Sequence, residues 1–528
     1  MSHRAIAALL AGGSLLAFAS GAASADDRSV AEKLDRLQKL LEAQQQQIDS
    51  QNREIERLKA ELGSKLPVPP PPTVPEKPPA PPPPQTTISL DGGRPTIKSA
   101  DGATTMSLRG RFQVDVAHHN QDDPGPLASD FRRGSQGAGR EINAARELDD
   151  GANFRRAQIG VEGKFASDFN YKLMFEFGGS GTESPARLHE AWLSYSPFSP
   201  LTLQVGAFAP NANLDDATSS DESLFIERAS PAEMSRSLAG SDGRYSAGFR
   251  LNEKDWLLSS YLTGGTVADS EVAGEQVALV SRGAFLPYTD KDVDILTGAN
   301  LTWIVEPADQ GSLATGARYQ ARFRERPELR VDSTRLIDTG ILDADHAHAA
   351  GVEAALRAGS FFFKGEHFWY GAELRTDTPA GDPSFSGWYA EAAWTLTGEG
   401  HRYNPSSASF VAPRPRSPVG SADGFGAVQL AVRYSHADLN HEEGLAGTAA
   451  TAGAIRGGTQ DIWTFGLNWY LNNNLKTSFN YMLVDVDRLN PAGAGNLTPF
   501  GAAPATPPDG VQIGQEYDAI AARLHFAF

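Results

Sequence analysis

Between residues 318 and 324 the chain alternates two kinds of side chain. Arg318, Gln320, Arg322 and Arg324 take one set of positions, and Tyr319, Ala321 and Phe323 take the other. On an extended backbone a spacing of two places side chains on one face, so the stretch predicts a row of guanidinium groups backed by an apolar face. A guanidinium offers five donors and a charge that does not titrate, and neighbouring forks can pass an oxyanion along. The chemistry this implies is reversible anion binding rather than bond making. No catalytic constellation competes with it: H-E-x-x-H, G-K-S/T and G-x-S-x-G are all absent. Without cysteine there is no thiolate nucleophile, no disulfide framework and no metal site built on Cys ligands. Asp343, Asp345, His346 and His348 could hold a divalent cation, but their place in an outer loop entering a strand favours a solvated loop. The reading is therefore a protein that is not an enzyme and needs neither metal nor cofactor.

The elements that position such a row must be strands. Trp463, Phe465, Leu467, Trp469 and Leu471 alternate with Thr464, Gly466, Asn468 and Tyr470, and Thr477, Phe479, Tyr481 and Leu483 alternate with Lys476, Ser478, Asn480 and Met482. One apolar and one polar face at period two is the mark of a strand between two solvents. Sixteen such segments are predicted, at 106–116, 155–165, 169–179, 187–196, 201–208, 244–252, 255–265, 294–306, 313–324, 348–358, 360–374, 386–398, 426–438, 461–471, 475–486 and 516–528. The connections mostly alternate long and short, as they do when long outer loops face tight periplasmic turns. The exception is 399–425, a segment on the turn side that is too long for the rule. The last strand carries Ile520, Ala522, Leu524, Phe526 and Phe528 on one face and Arg523 and His525 on the other, ending on an aromatic residue. These features predict an all-β fold, a sixteen-stranded antiparallel transmembrane β-barrel over residues 105–528.

Charge and hydropathy agree with that class. The formal net charge is -18, which argues against nucleic-acid binding. Mean hydropathy is -0.35, and after Ala19 there is no apolar stretch long enough for a membrane helix. A barrel strand needs only about 9 to 11 residues and alternates its polarity. The barrel is preceded by three further segments. Residues 1–25 read as a signal peptide, with His3 and Arg4 before an apolar core from Ala5 to Ala19 and a small-residue cleavage site at Ala23-Ser24-Ala25. Residues 26–64 read as a short α-helical coiled coil, with Leu34, Leu41, Ile48, Ile55 and Leu62 at one seam position and Val30, Leu37, Gln44, Gln51 and Leu58 at the other. Residues 65–104 form a Pro-rich linker leading into the barrel; between Pro67 and Pro84, 12 of 18 residues are proline, which favours a stiff polyproline II spacer.

Five ordered segments carry a resemblance. Phe154 to Phe165 (FRRAQIGVEGKF), Thr218 to Pro231 (TSSDESLFIERASP), Gly387 to Tyr403 (GWYAEAAWTLTGEGHRY), Gly426 to Asn440 (GAVQLAVRYSHADLN) and Gly457 to Asn472 (GGTQDIWTFGLNWYLN) are closely similar to words of the phosphate-selective porin O/P family. That resemblance implies a trimeric outer-membrane channel with a constriction that holds anions. Carried over residue by residue, it implies pore-lining roles for Arg155 and Arg156, for the third-loop Ser219, Ser220 and Arg228, and for Arg322, Arg324, Arg326 and Arg330, to which the alternation adds Arg318. Where phosphate-binding members have lysine after the serines, this chain has Asp221 and Glu222, and His189 aligns with a pore acid of the family. The expected partners are small anionic solutes such as phosphate, outer-membrane lipid and lipopolysaccharide, further copies of the chain in a homotrimer, and the cell wall through the coiled coil. A general or weakly cation-preferring porin that also tethers the outer membrane is the alternative, because the acidic excess falls wholly on residues 86–528.

Overall fold

A computed structural model describes residues 42–43, 45–58, 60, 85–90, 93–126, 129–134, 146–179, 186–267, 274–311, 317–491 and 507–528. The chain divides between Pro82 and Pro83 into two units. In the first, residues 45–58 are helical, and Ile48, Ile55 and Leu58 stand about half exposed on that helix. The signal peptide, residues 65–84 of the linker and the remaining seam positions other than Gln51 lie outside the described residues.

The second unit is a closed antiparallel barrel of sixteen strands. They are β1 (Thr105–Asn120), β2 (Gly151–Phe165), β3 (Phe169–Glu176), β4 (Arg187–Phe198), β5 (Leu201–Ala207), β6 (Arg244–Asn252), β7 (Trp256–Thr266) and β8 (Val277–Thr289), then β9 (Val293–Glu306), β10 (Leu342–Ala358), β11 (Phe361–Leu374), β12 (Ser384–Thr395), β13 (Ala427–His441), β14 (Ile455–Tyr470), β15 (Leu475–Asp487) and β16 (Gln515–Ala527). Each pairs with its sequence neighbours, and β16 returns to β1 with Ile520 opposite His118, so no edge is left open. Phe112, Val116, Leu524 and Phe526 face outward and remain exposed, whereas Gln113, Asp115, Arg523 and His525 point in and are buried. Turns at one end are short; at Gly359 the chain reverses between β10 and β11 with φ +58, a conformation glycine adopts without steric cost.

Fifteen of the sixteen predicted segments coincide with barrel strands; the segment at 313–324 does not. Its described residues belong to the fifth long loop (307–341), where Gln320–Ala321 pairs with the loop-end tip of β10 and Arg324–Glu325 pairs with Ile337–Asp338. The alternation is real but has another cause. Ala321 and Phe323 are buried inside the barrel, Phe323 lying 5.7 Å from Tyr370 and 5.6 Å from Phe385, instead of facing lipid. The sixteenth strand is β8, whose inward residues, Arg282 apart, are Ala278, Val280, Ala284 and Leu286, as apolar as its outward ones and buried in the filled barrel. A strand with two apolar faces shows no period-two contrast. His346 and His348 lie within β10 rather than in a solvated loop, and no group of three or more His, Cys, Asp or Glu among the described residues could hold a metal.

Two segments fill the barrel. The third loop (208–243) turns inward and carries α1 (Leu214–Ala217) and α2 (Ser230–Ala239). From the opposite end the overlong segment 399–425 also folds in, as a hairpin of Arg402–Asn404 with Ser409–Val411. Its tip packs beneath the third loop: Ser409 Oγ donates to Ala217 O at 3.0 Å, and Arg282 donates to Ser407 O at 2.6 Å and Ala408 O at 2.7 Å.

Candidate functional site

The third loop is pinned by side chains from a run of adjacent strands, β11 to β16, and from β2. On the β11–β12 wall, Glu366 accepts from Leu214 N at 3.0 Å, Asp215 N at 2.9 Å and the Tyr389 hydroxyl at 2.8 Å. Lys364 Nζ lies between Asp215 at 2.7 Å and Glu391 at 3.1 Å. On the adjoining strands β13 to β15, Asn468 donates to Leu224 O at 2.8 Å, Lys476 to Ser223 O at 2.6 Å and Arg433 to Glu227 O at 3.1 Å. The Arg433 guanidinium also covers the Phe225 ring at 4.4 Å. Buried donors that meet loop carbonyls in this way make the loop a fixed crossbar, because each broken contact would strand a polar group away from water.

The predicted arginines fall into two environments. Arg155 meets Glu227 at 2.8 Å, and Glu227 also receives Arg523 at 2.7 Å and Arg330 at 3.4 Å. Arg330 reaches Glu233 at 2.8 Å, and Arg228 lies 3.4 Å from Asp216 and 3.5 Å from Glu233. Arg326 is buried 3.9 Å from Glu325. Arg322 Nε donates to Asp338 at 2.7 Å, and Arg318 pairs with Asp309 at 2.7 Å while staying half exposed. Arg156 differs from these. It is buried, donates to Gln113 Oε1 at 2.7 Å and forms no ion pair with a described residue. Gln113 in turn points its amide nitrogen at Ser220 O, 3.5 Å away, and the Ser220 hydroxyl is buried with no hydrogen-bond partner among the described residues. Ser219 accepts from Arg111 at 3.3 Å. Arg324 also lacks a side-chain ion pair with any described residue.

Alternation alone places Arg155 at the rim and Arg156 in the lumen, yet both are buried inside. The cause is a bulge: Gln113 faces Arg156 and Val114 faces Phe154, so two residues of β2 oppose one step of β1 and Arg155 is turned inward as well. A model of the family described as phosphate-selective porin O and P matches residues 135–505. The chain belongs to that family. Among curated relatives it is 25% identical over 435 residues to Porin O of Pseudomonas aeruginosa, covering 76% of this chain and 90% of the relative. It is 27% identical over 415 residues to an uncharacterized protein of Caulobacter vibrioides, covering 76% and 73%. Among solved structures it is similar to the anion-selective porin from Comamonas acidovorans, at 11% identity and TM-score 0.42 over 80% of this chain and 100% of that one. Similar too is the outer membrane channel DcaP of Acinetobacter baumannii, at 11% identity and TM-score 0.39 over 82% and 99%. Family and fold are those of an outer-membrane channel rather than an enzyme.

In this porin the acids that follow the loop serines are already engaged. Asp221 lies 2.6 Å from Arg111 and 3.3 Å from His525, and Glu222 pairs with Arg414 at 2.6 Å and accepts from Ala412 N at 2.7 Å. Burial tends to raise the Glu227 carboxyl, but Arg155, Arg523 and Arg330 outweigh it and hold it well below the usual carboxylate range. Glu233 is also raised by burial and lowered further by Arg236, Arg330 and Arg228, to about 2. Burial lowers the Arg324 guanidinium, and the adjacent positive charge of Arg322 acts in the same direction. His189 is buried 3.8 Å from Glu190 and 4.0 Å from Asp242. Residues that sequence reasoning missed are Arg111, Gln113 and His525; their polar alternation along β1 and β16 marked the lumen face, but nothing local linked them to the third loop.

Proposed function

We propose that this porin conducts small anionic solutes, phosphate among them, by passive diffusion past Arg156, and that Ser220, Ser219 and Arg324 share in holding the ion. The observation that carries this reading is the buried Arg156 guanidinium, which donates to a neutral amide and forms no ion pair with a described residue, Glu227 acting on it only through space. A cation paired with an acid has little left to offer a passing ion, whereas one paired with an amide keeps its charge available. Ser220 adds a hydroxyl with no partner among the described residues, and a weak neutral donor beside a strong cationic one suits a site that must also release its ion. The net charge of -18 does not oppose this, since charges beyond about 8 Å are screened at physiological salt and Asp221 and Glu222 are neutralised in place. Planar-bilayer recording tests it. The reversal potential in a salt gradient should report anion preference, and millimolar phosphate should block chloride current; an unblocked current at every phosphate concentration would exclude phosphate binding. The exposed Ile48, Ile55 and Leu58 on one helix favour a further role, self-association of the N-terminal segment into a homotrimer that holds the barrels together.

A further inference from the structure

The outward face of β9 to β13 changes character from one end to the other, and the change is not that of a plain lipid-facing wall. In register across the strands nearest the loops run Trp303, His348, Gly371 and Ser384, and below them Ala350, Trp369, Ser386 and Asp438. These rows, Ala350 apart, line a recess of about 880 Å³ that contains three carboxylates, Glu373, Asp382 and Asp438, the three imidazoles of His346, His348 and His367, and neither lysine nor arginine. Its floor exists because position 371 is glycine: a Cβ there would come within 2.6 Å of the His348 ring. Nearer the barrel's middle the register brings Thr297, Ala354, Gly365 and Ala390 together. These small residues open an apolar trough of about 760 Å³, flanked by Phe363, Trp388 and Trp463. Polar recess and apolar trough lie on the same strands, the polar one toward the long loops, which in this fold face outward.

We infer that this face is a docking groove for one amphiphile of the outer leaflet whose head is an uncharged sugar ring and whose acyl chain fills the trough. The inference goes beyond the channel reading and does not depend on it. Exposed indole faces at Trp303 and Trp369 present flat, amphipathic surface to the C–H face of a sugar. Serine hydroxyls and carboxylates beside them accept from its hydroxyls. Three carboxylates with no lysine or arginine to offset them disfavour a phosphate head, and the small residues below admit an alkyl chain where a bulkier strand face would exclude it. Native mass spectrometry of the full-length porin in an amine-oxide detergent, with glucosyl diacylglycerol or phosphatidylglycerol of the same chains added, separates the sources. The glucosyl lipid should be retained about tenfold better than phosphatidylglycerol, and Trp369→Ala should abolish that preference. Ala390→Phe, which fills the trough from outside, should lower retention of both lipids. Both side chains point away from the lumen, so unchanged single-channel conductance certifies an intact barrel; should Trp369→Ala fail to fold, Trp303→Ala replaces it. Equal or better retention of phosphatidylglycerol overturns the inference, as does a preference indifferent to the tryptophan. A second copy of the chain seated on this face, released by Ala390→Phe, also overturns it.

Discussion

The knot around Glu227 and the site at Arg156 are built from the same residue type within one short stretch of β2, yet they do opposite things. Arg155 enters the bulge and meets a carboxylate; Arg156, the next residue, meets an amide. With three guanidiniums on Glu227 and two on Glu233 besides Arg236, the knot uses its positive charge up in fixing the third loop. On the proposed reading, the Arg156 site leaves its charge for a ligand. The lesson is that a count of pore arginines says little about selectivity until each has been matched with its acid.

The sharpest way to break the contrast is Glu227→Gln. It would leave Arg155, Arg523 and Arg330 as buried charges with less compensation, at a cost of about 3–5 kcal/mol. The third loop should loosen from β2 and β16, and single-channel conductance should rise severalfold with noisy gating. An unchanged conductance would mean that the knot does not hold the crossbar. Next in size is Arg156→Ala. Here the loop should stay in place and open-channel conductance should change little, while the phosphate concentration that half-blocks chloride current rises about tenfold, the usual size for one lost charge-assisted contact of about 1.5 kcal/mol. A block that survives the substitution would remove Arg156 from the binding role.

Much of the fold was legible because the barrel wall separates two solvents and period-two polarity reports that directly. The failures have one physical source, the material inside the barrel. Val280 and Leu286 of β8 face a packed interior rather than water, so that strand lost its polar face; Ala321 and Phe323 of the fifth loop face the same interior, so a loop imitated a wall strand. The bulge that turns Arg155 inward is invisible to a rule that advances two residues at a time. The candidate site was legible in its residue types and not in its pairing. That Arg155 finds Glu227, 72 positions away, and Arg433 finds Glu328, 105 away, is decided by how the loops fold into the lumen.

Acid titration sharpens the comparison further. The carboxyls of Glu227 and Glu233 sit below their ordinary value of 4.5 in the folded protein, Glu233 at about 2. A group whose folded pKa is depressed contributes stability that is fully present above the unfolded value and is lost as pH falls through the folded one. The knot should therefore hold from pH 7 down to about 4.5 and weaken only between there and about pH 2. Conductance recorded between pH 7 and 5 should stay constant within about 20%, because little linkage free energy is lost there. A conductance step near pH 6 would show that the loop is pinned by some other group.

The smallest effects separate two arginines of the fifth loop that share one alternating stretch. Arg318 is half exposed and already chelated by Asp309 through two donors, both at 2.7 Å. Arg324 is more enclosed and forms no ion pair with a described residue. If an anion senses only unmatched charge, Arg324→Ala should weaken phosphate block by about two- to fivefold, less than loss of a direct contact at the constriction. Arg318→Ala should leave both block and reversal potential where they were, since an exposed ion pair is worth about 0–1 kcal/mol and its charge is screened. Equal effects from the two substitutions would mean that the whole loop acts through its summed field, and that the distinction between matched and unmatched arginines does not decide which ions cross.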